Sequence, residues 1–242
     1  MKTVSRWHSP RVQQEVTVVR WGHYGVPVLW FATAGGDAEE PERFLLVKVL
    51  SPLIEAGRIK FYSCDSVAGR AWTTAEGSPR HRSWLQNQFD GFIYHEVVPA
   101  IREDCAGSEP EIITTGASIG AFNALAAVCR HPDAFSRAIS MSGTYDLSKW
   151  LEGDWCDDFF YSSPLHFLPT LDEGPHLDAL RRRFILMPTG EGRWEDPSES
   201  WRMAETLGAK GIPNRVDPWG TQWDHDWPTW REMLPKYLDY WV

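Results

Sequence analysis

Cysteine is scarce in this chain and unpatterned. Cys64, Cys105, Cys129 and Cys156 stand at no paired spacing, which argues against a disulfide framework. Met1 to Gly22 lacks an apolar core flanked by basic residues and a cleavage site, and no apolar run approaches the length of a membrane span. A reduced, cytoplasmic protein without membrane contact is therefore expected. Basic residues are also in deficit, 24 Lys and Arg against 33 Asp and Glu, for a formal charge of −9. A surface that tracks phosphates needs clustered Lys and Arg, so nucleic acid is not an expected partner. The only basic run, Arg181-Arg182-Arg183, follows a short helical run, Leu177 to Leu180, and leads into a strand; it reads as a solvated helix end. Repeats, low-complexity tracts and linkers are lacking too. The 242 residues thus read as a single α/β domain in which strands alternate with helices. Composition leaves open whether the chain is a monomer or a homo-oligomer.

What is present begins with Gly116-Ala117-Ser118-Ile119-Gly120. An extended apolar run, Glu111 to Thr115, enters this stretch and a helix-forming run, Ala121 to Cys129, leaves it. Small residues on both sides of the serine permit a sharp strand-to-helix turn, the layout of a nucleophile elbow, with the Ser118 hydroxyl exposed beside a helix N-terminus. The five-residue pattern alone is weak evidence, since a serine in a turn is usually a cap. The strand and helix around it carry the argument.

A serine nucleophile needs a histidine base and an orienting carboxylate, which in this architecture follow in the order serine, acid, histidine. The strand-like run Asn214 to Trp219 ends in Gly220 and opens into Trp223-Asp224-His225-Asp226-Trp227-Pro228. His225 therefore lies on the loop after the last strand, before a closing helix expected from about Pro228 to Tyr240. The competing readings are a histidine capped by its flanking aspartates, or a metal ligand with them. Adjacent side chains diverge and no second His or Cys stands at ligand spacing, so neither metal nor cofactor is expected.

The acid is expected after the preceding strand, Arg183 to Pro188, where the loop carries Glu191, Glu195 and Asp196. Asp196 before Pro197, with Glu199 three residues on, has the form of a helix cap with a capping-box glutamate. Glu195, just outside that helix, is then the best candidate to accept the Nδ1 proton of His225. Glu191 stays open, as does Asp146 after the strand Arg137 to Ser142, whose alternative role is to cap the segment Leu147 to Leu151. Oxyanion donors are expected from the backbone N–H of Ile119 and from the loop Thr33-Ala34-Gly35-Gly36-Asp37 after the strand Val26 to Ala32. Asp37 with Glu40 resembles a second capping box, opening a helix over roughly residues 38 to 56.

Fourteen tryptophans are unusual at this length. Trp194, Trp219, Trp223, Trp227 and Trp230 crowd the acid and histidine loops, while Trp150, Trp155, Phe159, Phe160 and Tyr161 fall in an insertion between the Asp146 and Arg183 strands. Such an insertion over the nucleophile would favour an apolar or aromatic acyl group, with Gly35, Trp155 and Trp223 as candidate substrate contacts. Aromatic packing that only anchors loops is an equal alternative. The remaining histidines read as surface or structural.

The segments Phe31 to Asp37, Gly116 to Asn123, Arg130-His131-Pro132-Asp133, Ser142 to Asp146 and Asp224 to Trp227 together resemble the putative-esterase branch of the α/β-hydrolase superfamily, which includes S-formylglutathione hydrolases, feruloyl esterases and mycolyltransferases. The resemblance spans nearly the whole chain. It implies an α/β-hydrolase fold, a mostly parallel central sheet flanked by helices, with a small cap insertion at about residues 147–180. It implies a serine esterase acting on a small-molecule carboxylic ester, with a Ser118, Glu195, His225 triad and an oxyanion hole from the amides of Ala34 and Ile119. Many relatives carry a His-Gly pair where this chain has Ala32-Thr33, which leaves Ala34 or Gly35 as the first donor. The alternatives are acyl transfer by the same triad and a non-catalytic binding protein of the same fold.

Overall fold

Residues 1–106 and 109–242 are described by the computed structural model of the chain. Eight strands form one sheet: β1 (Lys2–Ser9), β2 (Gln14–Trp21), β3 (Val26–Phe31), β4 (Ile59–Cys64), β5 (Ile112–Ala117), β6 (Phe135–Met141), β7 (Phe184–Thr189) and β8 (Asn214–Pro218). Their spatial order is β1-β2-β4-β3-β5-β6-β7-β8. From β4 to β8 all pairings are parallel, and β2 joins β4 antiparallel. The central strands read as near-continuous apolar runs because helices cover both faces. Within β3, Leu29 and Phe31 face one core and Val28 and Trp30 the other, the alternation that a period of two requires.

The mostly parallel sheet, the elbow and the closing helix agree with the sequence-based expectation. The start of the chain does not. β1 and β2 form an antiparallel hairpin rather than part of an alternating strand-helix series. The helix expected over residues 38 to 56 is broken, with Glu40–Arg43 and Leu46–Glu55 separated at Leu45, whose φ is 64°. Its predicted capping box is absent: Asp37 accepts the Glu39 N–H at 2.8 Å, while Glu40 turns inward to the loop after β3, as described below.

The strand order fixes where chemistry is possible. After β3 the chain steps outward to β4 and then returns to the other side of β3 as β5, so β3 and β5 are neighbours whose C-terminal connections diverge. A crevice opens at such a switch point, beyond the carboxyl ends of the strands. Phe31 pairs with Gly116 there, bringing the loop after β3 against the elbow after β5. The insertion after β6 folds as short helical segments that attach to the helix Pro79–Phe92 through Asn87 to Asp158 (2.8 Å), Arg80 to Asp154 (2.9 Å) and Arg82 to the Trp150 carbonyl (3.0 Å). No described helix is long and apolar enough to cross a membrane.

Candidate active site

Ser118 sits between β5 and the helix Ile119–Arg130 with φ 57° and ψ −124°, a conformation an L-residue adopts only under strain. The backbone around it is held on both sides: its N–H donates to the Met141 carbonyl at 3.1 Å and its carbonyl accepts from Thr144 at 3.3 Å. The flanking glycines are required by space rather than by their own dihedrals. A β-carbon on Gly116 would lie 2.4 Å from the Gly120 carbonyl oxygen, and one on Gly120 would lie 2.2 Å from the carbonyl oxygen of Phe31. The elbow is thus pressed onto the end of β3. Ser118 is half-buried, and its hydroxyl makes no hydrogen bond among the described residues.

The loop after β3 is shaped by Glu40. Its buried carboxylate accepts from the Thr33 N–H at 2.9 Å, from the Thr33 hydroxyl and from Trp30 Nε1 at 3.4 Å. Burial raises its proton affinity and outweighs those hydrogen bonds. Because Thr33 has spent its N–H on Glu40 and Gly36 donates to the Thr33 carbonyl at 3.0 Å, the donors left at the start of this loop are Ala34 and Gly35. Among the described residues the N–H groups of Ala34, Gly35 and Ile119 have no acceptor. These amides, two on the loop after β3 and one at the start of the helix after β5, thus lie at the same end of the sheet without an acceptor among the described residues.

His225 and Glu195 meet across the loops after β8 and β7. Nδ1 lies 3.5 Å from Oε2 of Glu195, whose side chain is only 1 % exposed, against 22 % for the histidine. The loops are sewn together by backbone bonds from Gly192 N–H to the Trp223 carbonyl (2.9 Å), His225 N–H to the Arg193 carbonyl (3.0 Å) and Glu191 N–H to the Gly220 carbonyl (3.1 Å). A β-carbon on Gly190 would come within 2.2 Å of the Trp223 carbonyl oxygen, so only glycine permits this approach. Asp224 accepts the Arg193 N–H at 2.7 Å, and Asp226 caps the closing helix Trp227–Trp241. Both aspartates beside His225 thus serve the backbone.

The competing acids have other partners. Asp196 caps the helix Pro197–Ala209, accepting from Ser198 at 3.1 Å. Its expected box partner Glu199 instead accepts the N–H groups of Tyr145 and Asp146, both at 2.8 Å. Asp146 accepts from Ser148 N–H at 2.9 Å and pairs with Arg202. Glu191 is exposed.

Of the proposed substrate contacts, Trp223 is half-buried, its ring edge-on to Trp219 at 5.0 Å. Trp155 is 51 % exposed on the insertion and meets Phe159 edge-on at 5.4 Å. Phe159 in turn meets Trp72 at 6.1 Å, on a helix whose Gly69 lies so close to Ile119 that an added β-carbon would be 3.2 Å from its Cγ2. Much of the insertion is core: Leu151, Phe159, Phe167 and Leu168 join the apolar cluster on that face of the sheet. His131 pairs with Asp90 at 2.8 Å and His176 with the Cys129 carbonyl at 2.9 Å, structural positions as expected. Two surface hollows, about 580 Å³ beside Tyr24 and Arg58 and about 630 Å³ beside His131 and Tyr161, include none of Ser118, Glu195 and His225.

Sequence reasoning placed Trp230 among the aromatics near the acid and histidine loops but missed Ser142 and Thr189 beside the acid. Ser142 donates to Glu195 Oε1 at 2.6 Å, Thr189 lies 3.4 Å from Oε2, and Trp230 Nε1 donates to Ser142 at 3.1 Å. The one available signal was the position of Ser142 at the end of a strand next to the acid-bearing one.

Residues 46–240 match the model of a family described as "Putative esterase". No curated protein matches the chain. Among solved structures it is similar to an S-formylglutathione hydrolase from Agrobacterium tumefaciens (TM-score 0.75, 13 % identity, covering 99 % of this chain and 94 % of that one). It is similar to the fluorophosphonate-binding serine hydrolase F of Staphylococcus aureus (0.64, 12 %, 99 % and 97 %), and to MPT51 of Mycobacterium tuberculosis (0.61, 18 %, 98 % and 97 %). At these identities the structural matches establish the fold.

Proposed function

We propose, from the premise that the chain belongs to the putative-esterase family and is an esterase, that it hydrolyses a small carboxylic ester through an acyl-enzyme on Ser118, with its 242 residues acting as one catalytic domain. The observation that carries this reading is the buried Glu195 carboxylate 3.5 Å from Nδ1 of His225, on loops that follow β7 and β8 at the sheet end bearing the strained Ser118.

In the first half-reaction Ser118 Oγ attacks the ester carbonyl carbon while its proton passes to Nε2 of His225. Glu195 holds the Nδ1–H tautomer and stabilises the imidazolium. The carbonyl oxygen, now an oxyanion, accepts from the Ile119 N–H and from Ala34 or Gly35. Collapse breaks the bond to the alkoxy oxygen, which leaves as alcohol with the proton from His225. Water then attacks the acyl carbon, giving its proton to His225, and the acid and Ser118 are released. The acidic surface, with net charge −9, suits neither nucleic acid nor a phosphate-rich partner.

The test is labelling of the purified protein with a fluorophosphonate, followed by peptide mass spectrometry, and an ester panel of varied acyl length with and without added alcohol. Phosphonylation of Ser118, absent in Ser118→Ala, and release of free acid are expected. An unlabelled protein that turns over no ester makes it a binding protein. An acyl product that forms only on the added alcohol makes it a transferase.

A further inference from the structure

Trp230 reaches both members of the acid-base pair, His225 directly and Glu195 through Ser142. An indole N–H can only donate, so its 3.1 Å contact with Ser142 Oγ uses the hydroxyl as acceptor. The hydroxyl proton is then directed to Glu195 Oε1 at 2.6 Å. This one-way chain occupies Oε1 and leaves Oε2 to His225 at 3.5 Å and the Thr189 hydroxyl at 3.4 Å. The same indole lies edge-on to the His225 ring, with centroids 5.3 Å apart and an interplanar angle of 85°. Trp230 and Ser142 are both buried, so solvent does not compete for either bond.

The backbone at Ser142 reinforces the arrangement. Its φ is 47°, uncommon for a non-glycine residue, and its N–H donates to the Pro188 carbonyl at 2.8 Å, bridging the ends of β6 and β7. The last torsion of a glutamate side chain is soft. Without the short Ser142 bond the carboxylate would keep only the longer 3.4 Å contact with the Thr189 hydroxyl, and would rotate and present its oxygens to Nδ1 in varying directions.

We propose that Ser142 and Trp230 are positioning residues: Ser142 locks the rotation of the Glu195 carboxylate, and Trp230 fixes both that lock and the plane of His225. The proposal rests on the assignment of Glu195 and His225 as acid and base. It extends the site to the first turn of the closing helix, whose indole acts on an acid far upstream in the chain.

Glycine takes φ 47° freely, so Ser142→Gly removes the hydroxyl without straining the backbone. The expected enzyme is folded, with KM within about twofold of wild type and kcat lowered ~10–100-fold, the scale of a small misplacement of a reacting group. The downfield proton NMR resonance of His225 Nδ1–H, identified by its loss in His225→Gln, is expected to broaden or move upfield. Trp230→Phe lowers kcat less, and the double variant is no slower than Ser142→Gly alone, because the indole N–H acts through the hydroxyl. If Ser142→Gly does not fold, Ser142→Ala and Trp230→Phe carry the same comparison. Wild-type kcat in the hydroxyl-less enzyme, or a slowed enzyme whose His225 resonance is unmoved, overturns the proposal. Glu195→Gln separates the two levels: if it is inactive while Ser142→Gly is normal, the lock falls and the triad stands; if it is active, both fall.

Discussion

Gly120 and Phe31 stand closer than any side chain between them allows: a β-carbon on Gly120 would lie 2.2 Å from the Phe31 carbonyl oxygen and 2.8 Å from that of Ala32. The obstacle is backbone on both counts, so it cannot swing aside. Gly120→Ala is therefore expected to separate the elbow from the end of β3, costing about 1–3 kcal/mol as overpacking does and disabling the oxyanion loop. Gly208 is the control. It lies in the helix Pro197–Ala209, and an added β-carbon there would meet nothing within 4 Å, so Gly208→Ala should be neutral or stabilising by up to about 1 kcal/mol. Thermal melts and ester turnover of the two variants decide the matter; equal Tm values would contradict the steric account.

Ser118 carries the strain of φ 57° and ψ −124° whatever its side chain does. Ser118→Ala should lower kcat by roughly 10⁴- to 10⁶-fold, since the nucleophile and its base act as a unit, without relieving the backbone. Ser118→Gly should be as inactive yet at least as stable as Ser118→Ala, because strain of about 1–3 kcal/mol is relieved. Near-wild-type turnover by either variant removes Ser118 from the mechanism.

Glu195 and Asp196 are adjacent in sequence but separate in role. Glu195→Gln replaces the partner of His225 with a neutral amide and should lower kcat about 10³- to 10⁴-fold at similar stability. Asp196→Asn touches only the cap on Ser198 and should cost at most ~0.5–2 kcal/mol with activity retained. A reversal of these two phenotypes would move the acid to Asp196.

The pH prediction concerns Asp104, away from the candidate site. Burial favours its neutral form, but Lys60, Tyr62 and Arg20, with Nζ, Oη and Nη1 each 2.6 Å away, outweigh this and hold its carboxyl below the usual range. A depressed folded value means the contribution is fully present above the unfolded value of about 3.9 and is lost as pH falls through the folded one. Asp104→Asn should lower Tm at neutral pH and flatten the fall of Tm below about pH 4. Parallel Tm curves for mutant and wild type across that range would refute the linkage.

The elbow was legible because its signal is local: a strand, small residues and a helix within one short stretch. The pairing of Glu195 with His225 was legible only by reasoning from strand order, since the loops are brought together by β7 pairing with β8. Glu40 shows where local pattern fails. Its spacing from Asp37 fits a capping box, yet Thr33 and Trp30 offer a buried carboxylate three hydrogen bonds, and tertiary structure takes it. Ser142 had no local signature, because its role depends on Trp230 and Glu195 arriving from two other segments. The N-terminal hairpin was missed for a similar reason: its pairing with β4 places it at the sheet edge, outside the strand-helix rhythm of the rest.

The reciprocal backbone bonds between Gly192 and Trp223 and between His225 and Arg193 make the acid loop and the base loop one mechanical part. A fluctuation that lifts one must break the bonds that hold the other, so the pair opens as a cooperative unit. The imidazole then has no intermediate state in which it faces solvent beside an ordered but distant carboxylate: the two are assembled or dismantled together. The amide protons of Gly192 and His225 should accordingly exchange with solvent through the same opening event and share one protection factor, so the resting enzyme divides into competent and open molecules rather than grading between them.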